Sequence, residues 1–423
     1  MRWMGATQAL TACSLLLAAC SASEPEAATD GRPVLRLGGS ETLTGTLLPE
    51  LAQTHTAARG TLRFQVRKSA DEDDMAELLA GNLDLIATTT PHRARDEDQA
   101  KQNGFSLEAD GARHIVGVDV IALAVHASNP SDSLTYDQVI GIFCEGSNRV
   151  DNWSFLGQEA RAIRAVSPDI DDGTRMVFED FFCGGKGLSR QVEVLNAQAI
   201  QNALDSDATV ISYVSLNQEA GKVLGLRPDA AAPAVRPSQQ QVIRGAYPLY
   251  RDLYLYSRGP AKGDVKAFVE WVQSPAGQDV VDEQRFVPLY LRPERLDEPR
   301  PLRETIHFEP ASSEPNQRSR ARLQLLVDEL KERAGAYRHV VLEGYTDGKE
   351  GESTDLSRQR AEAVRDLLAK ELPGVYFEII PRGARNPIAP NETTYGRQRN
   401  RRVQVYLAEE EAPAETAELD TPE

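Results

Sequence analysis

The chain has 423 residues, too many for one ordinary core, so two or more domains are expected. It carries 64 acidic against 47 basic residues and a formal net charge of -17, which excludes a nucleic-acid binder, since that function needs a basic footprint. The histidines (His55, His92, His114, His126, His307, His339) are scattered without metal-ligand spacing, and no H-E-x-x-H, P-loop or G-x-S-x-G motif is present, so a non-enzyme with no metal and no cofactor is expected.

The N-terminus has one positive charge at Arg2 and then an apolar run from Ala9 to Ala19. That run is too short to span a bilayer and suits a signal segment. It ends Leu17-Ala18-Ala19-Cys20, which resembles the bacterial lipobox; an ordinary cleavage site after the small alanines is the alternative. The resemblance implies removal of residues 1–19, diacylglycerol on the Cys20 sulfur and, with Ser21 rather than Asp next, sorting to the periplasmic face of the outer membrane. Residues 20–32 read as a flexible lipidated tether.

From Pro33 the pattern is α/β. Val34–Leu37 is a strand running into Gly38-Gly39-Ser40, and Leu43, Leu47, Leu48 and Leu51 mark a helix. Leu62–Val66 is a second strand, Met75, Leu78 and Leu79 a helix, and Leu83–Ala87 a third strand. Strands alternating with helices imply a largely parallel sheet, and each strand–helix junction offers backbone N–H groups to an anion.

Eight segments in order then resemble the phosphate-type periplasmic substrate-binding proteins of ABC transporters. They are Gly39-Ser40-Glu41-Thr42; Asp84–Pro91 (DLIATTTP); Leu134-Thr135 with Gln138; Ile142-Phe143 with Asn152-Trp153; Asp172-Gly173-Thr174; Ile211–Val214; Tyr247-Pro248-Leu249; and Phe286–Leu289. The resemblance implies a two-lobed periplasmic-binding-protein fold (type II) over residues 33–291. The second lobe would run from about Val125 to about Tyr213, with a ligand cleft between the lobes. The implied oxyanion site is Ser40, Thr42, Thr88, Thr89, Asp172, Gly173 and Thr174, whose hydroxyls and amides can bind phosphate or a similar anion. An ABC permease is the partner such a protein would feed.

Two cationic positions of that pattern fall on Thr90 and Pro168, and its serine falls on Asp172, preceded by Asp171. Arg164, Arg175, His92 and Arg93 are the candidates to compensate. The two aspartates could cap the following helix, face the cleft, or both. An ionised Asp172 near a dianion repels it, so weak phosphate binding with preference for the monoanion is expected.

Residues 292–304, with Pro293, Pro299 and Pro301, read as a semi-stiff linker. In the next domain Leu323, Leu326, Val327 and Leu330 form one helical face, and Val340–Tyr345, Tyr376–Ile380 and Val403–Leu407 read as strands. Asp347 closes the first of these strands and Arg360 lies on the following helix, so the two could face one another as a plain ion pair or as the grip for a zwitterion. Gly344-Tyr345-Thr346-Asp347, then Leu356–Ala361 (LSRQRA), then Asn400-Arg401-Arg402-Val403 resemble the OmpA-like peptidoglycan-binding domain over residues 305–408. The resemblance implies a small α+β domain in which Asp347 and Arg360 hold the diaminopimelate of the stem peptide, with support from Arg401 or Arg402. For one of those two a solvated strand-edge charge is the alternative, since adjacent strand residues face opposite ways. Ser353 replaces the family's asparagine, and the loop from Gly348 to Glu352 is shortened. Residues 409–423 hold seven acidic residues and no basic one, and read as a disordered tail.

Cys144 and Cys183, the cysteines of the body, are expected to pair in an oxidising compartment. The expected whole is a doubly tethered envelope protein with a small-oxyanion module between lipid and peptidoglycan. A scaffold lipoprotein whose cleft has lost its ligand is the alternative. The tether Ser21–Arg32 spans at most about 43 Å, so local capture or sensing is expected rather than shuttling to a permease.

Overall fold

The computed structural model describes residues 31–67, 74–146, 148–169, 173–218, 221–243, 245–289, 303–332, 339–351 and 354–408. The signal segment, residues 20–30 of the tether, residues 292–302 of the linker, the acidic tail, Asp171 and Asp172 lie outside the described residues, and the end of the expected linker is instead the start of a strand at Arg303.

The first domain contains strands β1 (Val34–Gly39), β2 (Arg63–Val66), β3 (Leu85–Thr88), β4 (Arg113–Val125), β5 (Ser133–Thr135), β6 (Arg164–Ser167), β7 (Glu193–Val194), β8 (Val210–Ser215), β9 (Lys222–Val223), β10 (Gly225–Arg227) and β11 (Tyr250–Ser257). The main sheet runs β2-β1-β3-β11-β4-β8-β6-β7. Both wings are parallel, as the alternation of strands and helices predicts, with β1 beside β2 and β3, and β6 beside β7 and β8. The middle is antiparallel: β11 pairs with β3 and β4, and β4 with β8.

β4 is the element that joins the lobes. Its first part, Arg113 to Val120, pairs with β11, and from Ile121 to Val125 it pairs with β8. Every residue of β4 after Arg113 is buried, so its near-continuous apolar sequence is that of a strand covered on both faces. One lobe encloses Leu35, Leu37, Leu48, Leu51, Phe268 and Trp271. The other encloses Phe143, Trp153, Phe178, Phe182 and Tyr213, with Phe178 stacked on Tyr213 at 3.7 Å.

The chain returns to the first lobe later than expected. Leu224, Leu226, Val242, Ile243 and Tyr247 all belong to the second lobe's core. β10 pairs with β5 there, and the Tyr247 hydroxyl donates to the Ile121 carbonyl at 2.8 Å. The return strand is therefore entered at Pro248–Tyr250, well beyond Tyr213.

The C-terminal domain is a four-stranded sheet, β12 (Arg303–His307), β13 (His339–Tyr345), β14 (Tyr376–Gly383) and β15 (Arg402–Ala408), in the order β12-β15-β13-β14. Helices Gln317–Glu332 and Thr354–Glu371 pack on it through Leu323, Leu326, Val327, Leu330, Ala361, Val364 and Leu368. The 3.6-residue spacing that marks the first helix is thus its buried stripe.

A short third helix, Thr394–Asn400, docks this domain onto the first. The Arg399 guanidinium lies 3.2 Å over the Tyr250 ring and donates to the Pro248 and Tyr250 carbonyls at 3.1 and 2.7 Å. The Tyr395 amide donates to Asp180 at 3.0 Å, and the Tyr136 hydroxyl to the Ile388 carbonyl at 3.1 Å. The contact reaches both the return strand and the second lobe.

Cys144 and Cys183 form the expected disulfide within the second lobe, 39 residues apart. Closing such a loop should stabilise by about 3–4 kcal/mol in the chain-entropy account. Replacing both cysteines with alanine should lower the unfolding free energy by that order in urea titrations. An unchanged midpoint would show that the bridge adds no stability.

Candidate functional site

The cleft loops fall where the strand–helix junctions place them. Ser40 follows β1 and precedes the helix Glu41–Gly45, and its amide donates to the Ala87 carbonyl of β3 at 2.9 Å. Its hydroxyl caps nothing and is buried without a hydrogen-bond partner in the structure. Thr88 and Thr90 bond one another through their hydroxyls at 3.2 Å, which fixes the loop after β3. Thr42 is half-buried, whereas Thr89 and Thr174 are buried.

Gly173 shows how closely the lobes approach. A Cβ built there would lie 2.5 Å from Nη1 of Arg251 and 2.6 Å from Oγ1 of Thr89. First-lobe Thr89, return-strand Arg251 and second-lobe Gly173 therefore converge, and only glycine leaves room between them.

Arg251 is the cation that sequence reasoning missed. It is 2% exposed on β11, directly opposite Asp119 of β4. Its Nε and Nη2 each donate to Asp119 Oδ2 at 2.8 Å, and Asp119 Oδ1 accepts from the Ser215 hydroxyl. The signal was an Arg-Asp pair inside the apolar run Tyr250–Tyr256, because charges are rarely buried in a strand unless paired. Three of the expected substitutes are engaged elsewhere: Arg164 bonds Glu193 at 2.8 Å, Arg175 pairs with Glu179, and His92 contacts Tyr256. Arg93 is exposed at the start of the helix Ala94–Gln102. Beside the convergence point a pocket is lined by Pro168, Thr174, Tyr213, Ser215 and Gln218.

In the C-terminal domain Asp347, Arg360 and Arg401 come together, but not in the expected pairing. Arg360, fully buried, is held bidentately by Glu350, with Nη1 and Nη2 each 2.7 Å from a carboxylate oxygen. Its remaining donors reach the Ser312, Tyr345 and Glu309 carbonyls. Asp347 pairs instead with Arg401 at 2.7 Å. The turn after Asp347 accounts for this. Asp347 Oδ1 accepts from the Lys349 and Glu350 amides at 2.7 and 3.0 Å, a tight turn that folds Glu350 back over Arg360. Gly344 permits the helix to come this close, since a Cβ there would lie 1.9 Å from the Ser357 carbonyl oxygen.

Neither arginine at the start of β15 is a solvated edge charge. Arg402 is 2% exposed, stacked 3.7 Å from the Tyr345 ring, and burial pulls its pKa down to about 10. Asn400 completes the motif by accepting from the Ile388 and Ala389 amides. Among the described residues no group of three or more His, Cys, Asp or Glu could hold a metal, and no helix is long and apolar enough to cross a membrane.

With the geometry established, the chain can be set beside known proteins. A family model described as the PBP superfamily domain matches residues 22–276, and one described as the OmpA family matches residues 307–401. The phosphate-binding protein PstS of Pseudomonas aeruginosa is 28% identical over 190 residues, covering 41% of this chain and 59% of that protein. The peptidoglycan-binding protein ArfA of Mycobacterium bovis is 42% identical over 88 residues, covering 20% of this chain and 26% of that protein. The chain thus spans less than two thirds of either relative. A solved ABC-type phosphate transport receptor from Vibrio cholerae is 17% identical, with a TM-score of 0.48 over 60% of this chain and 99% of that one.

Two outcomes follow from these charges. Arg251→Met leaves Asp119 buried without its cation and should cost about 3–5 kcal/mol, most of it regained in Arg251→Met/Asp119→Leu. Urea unfolding of the single and double variants measures this. Burial alone would raise the Asp347 carboxyl, but Arg401 and the two turn amides outweigh it and hold the pKa below the ordinary value. Its contribution is therefore complete above the unfolded-state pKa of about 3.9 and is lost as pH falls below it toward the folded value. Asp347→Asn should flatten that acid limb, read as melting temperature against pH.

Proposed function

The chain belongs to the PBP superfamily, and from that premise we propose that it is an envelope lipoprotein. Its two-lobed cleft binds a small oxyanion, phosphate or close to it, and its OmpA-family domain holds it to peptidoglycan. The observation that carries the cleft reading is the buried Arg251 guanidinium between Thr89 and Gly173, a donor of the kind the expected positions at Thr90 and Pro168 lack. Asp119 neutralises most of that charge, so binding relies on the hydroxyls of Ser40, Thr42, Thr88, Thr89 and Thr174 and on the Gly173 amide. The Asp172 carboxylate adds a preference for the monoanion. The wall reading rests on Asp347, Arg360 and Arg401 meeting in one buried cluster and on similarity to a protein named as peptidoglycan-binding. Cys20 as the lipid-bearing residue, with Ser21 after it, supports the outer membrane and local capture or sensing rather than delivery to a permease.

A second reading has its own observation. The Arg251–Asp119 pair is already satisfied, and the C-terminal domain covers the strand that carries it. On that reading the first domain is a scaffold for protein contacts.

Calorimetry with inorganic phosphate separates the two. Saturable heat that weakens at least tenfold, about 1.4 kcal/mol, in Gly173→Ala supports the cleft. A flat titration of the folded wild type supports the scaffold.

A further inference from the structure

In the C-terminal domain the Glu350 carboxylate occupies a site made for a carboxylate. Its Oε1 is 2.7 Å from Arg360 Nη2 and accepts from the Ala311 amide at 2.8 Å. Its Oε2 is 2.7 Å from Arg360 Nη1 and accepts from the Asp347 amide at 3.2 Å. Four donors from three segments thus converge on one anion, and the side chain that fills them is only 9% exposed. A forked guanidinium meeting both oxygens is a geometry that matches a carboxylate bidentately.

The same residue also masks the opposite pole. Asp347 Oδ2 is taken by Arg401, and Oδ1 by the amides of Lys349 and Glu350 itself. Withdrawing the Glu350 side chain would free the Arg360 fork, and moving its main chain as well would remove one of the donors on Asp347 Oδ1. Glu350 sits between Gly348 and Gly351, and Gly351 has φ +87°, so glycine flanks the part that must move.

We infer that Glu350 is an internal ligand of the wall site, standing in for the carboxylate of an amino-acid zwitterion that enters only by exchange with it. This rests on the peptidoglycan reading and names the device that sets its affinity. Arg360 is fully buried, so a departing Glu350 must be replaced by another carboxylate, and a ligand with an ammonium alone gains nothing. The apparent affinity is reduced by the small fraction of molecules in which the site is open. The freed fork lies beside the Asp347 carboxylate, which Arg401 still holds, so the site favours a ligand with carboxylate and ammonium on one carbon, as at the free end of diaminopimelate.

The test is co-sedimentation of the full chain with purified sacculi containing diaminopimelate, with free meso-diaminopimelate as competitor. Glu350→Gln keeps the volume and one acceptor for Ala311 but weakens the hold on Arg360; Glu350→Ala removes it. Wall affinity should rise about tenfold in Glu350→Gln if the open fraction is near a tenth, and Arg360→Ala in that background should abolish the gain. Competition by diaminopimelate should be sharper in the variant, and cadaverine, which lacks carboxylates, should not compete. If Glu350→Gln and Glu350→Ala melt cooperatively yet bind no better than a wild type that does bind, the internal-ligand inference fails while the wall reading stands. If neither wild type nor variants bind sacculi, both fail.

Discussion

A guanidinium taken out of water has five donors and a charge to satisfy, and this fold buries several of them almost completely. Arg251, Arg360 and Arg402 are among its largest fully buried side chains, with Arg399 and Arg401 close behind. Each dictates what surrounds it. Arg251 requires Asp119 on the neighbouring strand, and so pins the register of β11 on β4 where the lobes join. Arg360 gathers the Glu309, Ser312 and Tyr345 carbonyls and Glu350, tying the strand-end turn to the loop after β12. Arg402 uses an aromatic face and two carbonyls instead of a counter-ion, and its lowered pKa reflects that poorer compensation.

Ion pairs of this kind are weak evidence for net stability, because desolvation offsets much of the attraction. Their effect is on geometry. An unpaired buried charge is costly, so only arrangements that bring each partner into place survive. In both domains that constraint falls on the surfaces proposed for ligands. Arg251 beside the cleft and the charged residues of the wall cluster are thus placed by the electrostatic demands of the folded chain itself.

The architecture was legible because it is written in periodicities. The leucine stripe from Leu323 to Leu330 and the strands at Val34, Leu85, Val340 and Val403 emerged where apolar spacing put them. The disulfide was legible from composition, there being one candidate pair in the body of the chain. The contacts within the proposed sites were not legible. Which loops approach one another could be read from motif order, but which charge meets which could not. Arg251 was overlooked because it sits on the return strand rather than in any of the loops the pattern marks. Glu350 was overlooked because it lies in a loop between the motifs, and their spacing does not say where its carboxylate will turn. The end of the second lobe was placed too early because β9 and β10 are two and three residues long and leave little periodic trace.

The seat of Arg399 has a mechanical consequence. Two strands cross between the lobes, and one of them, β11, is gripped at its entry by a side chain of the third body. Arg251, which faces the cleft, is the very next residue after Tyr250. Leu249 and Tyr250 belong to the second lobe's core, and Tyr395 is fastened to Asp180 of that same lobe. Both grips of the C-terminal domain therefore fall on one side of the junction between the lobes. A pull on that domain is passed to the second lobe, and reaches the first through β4 and β11.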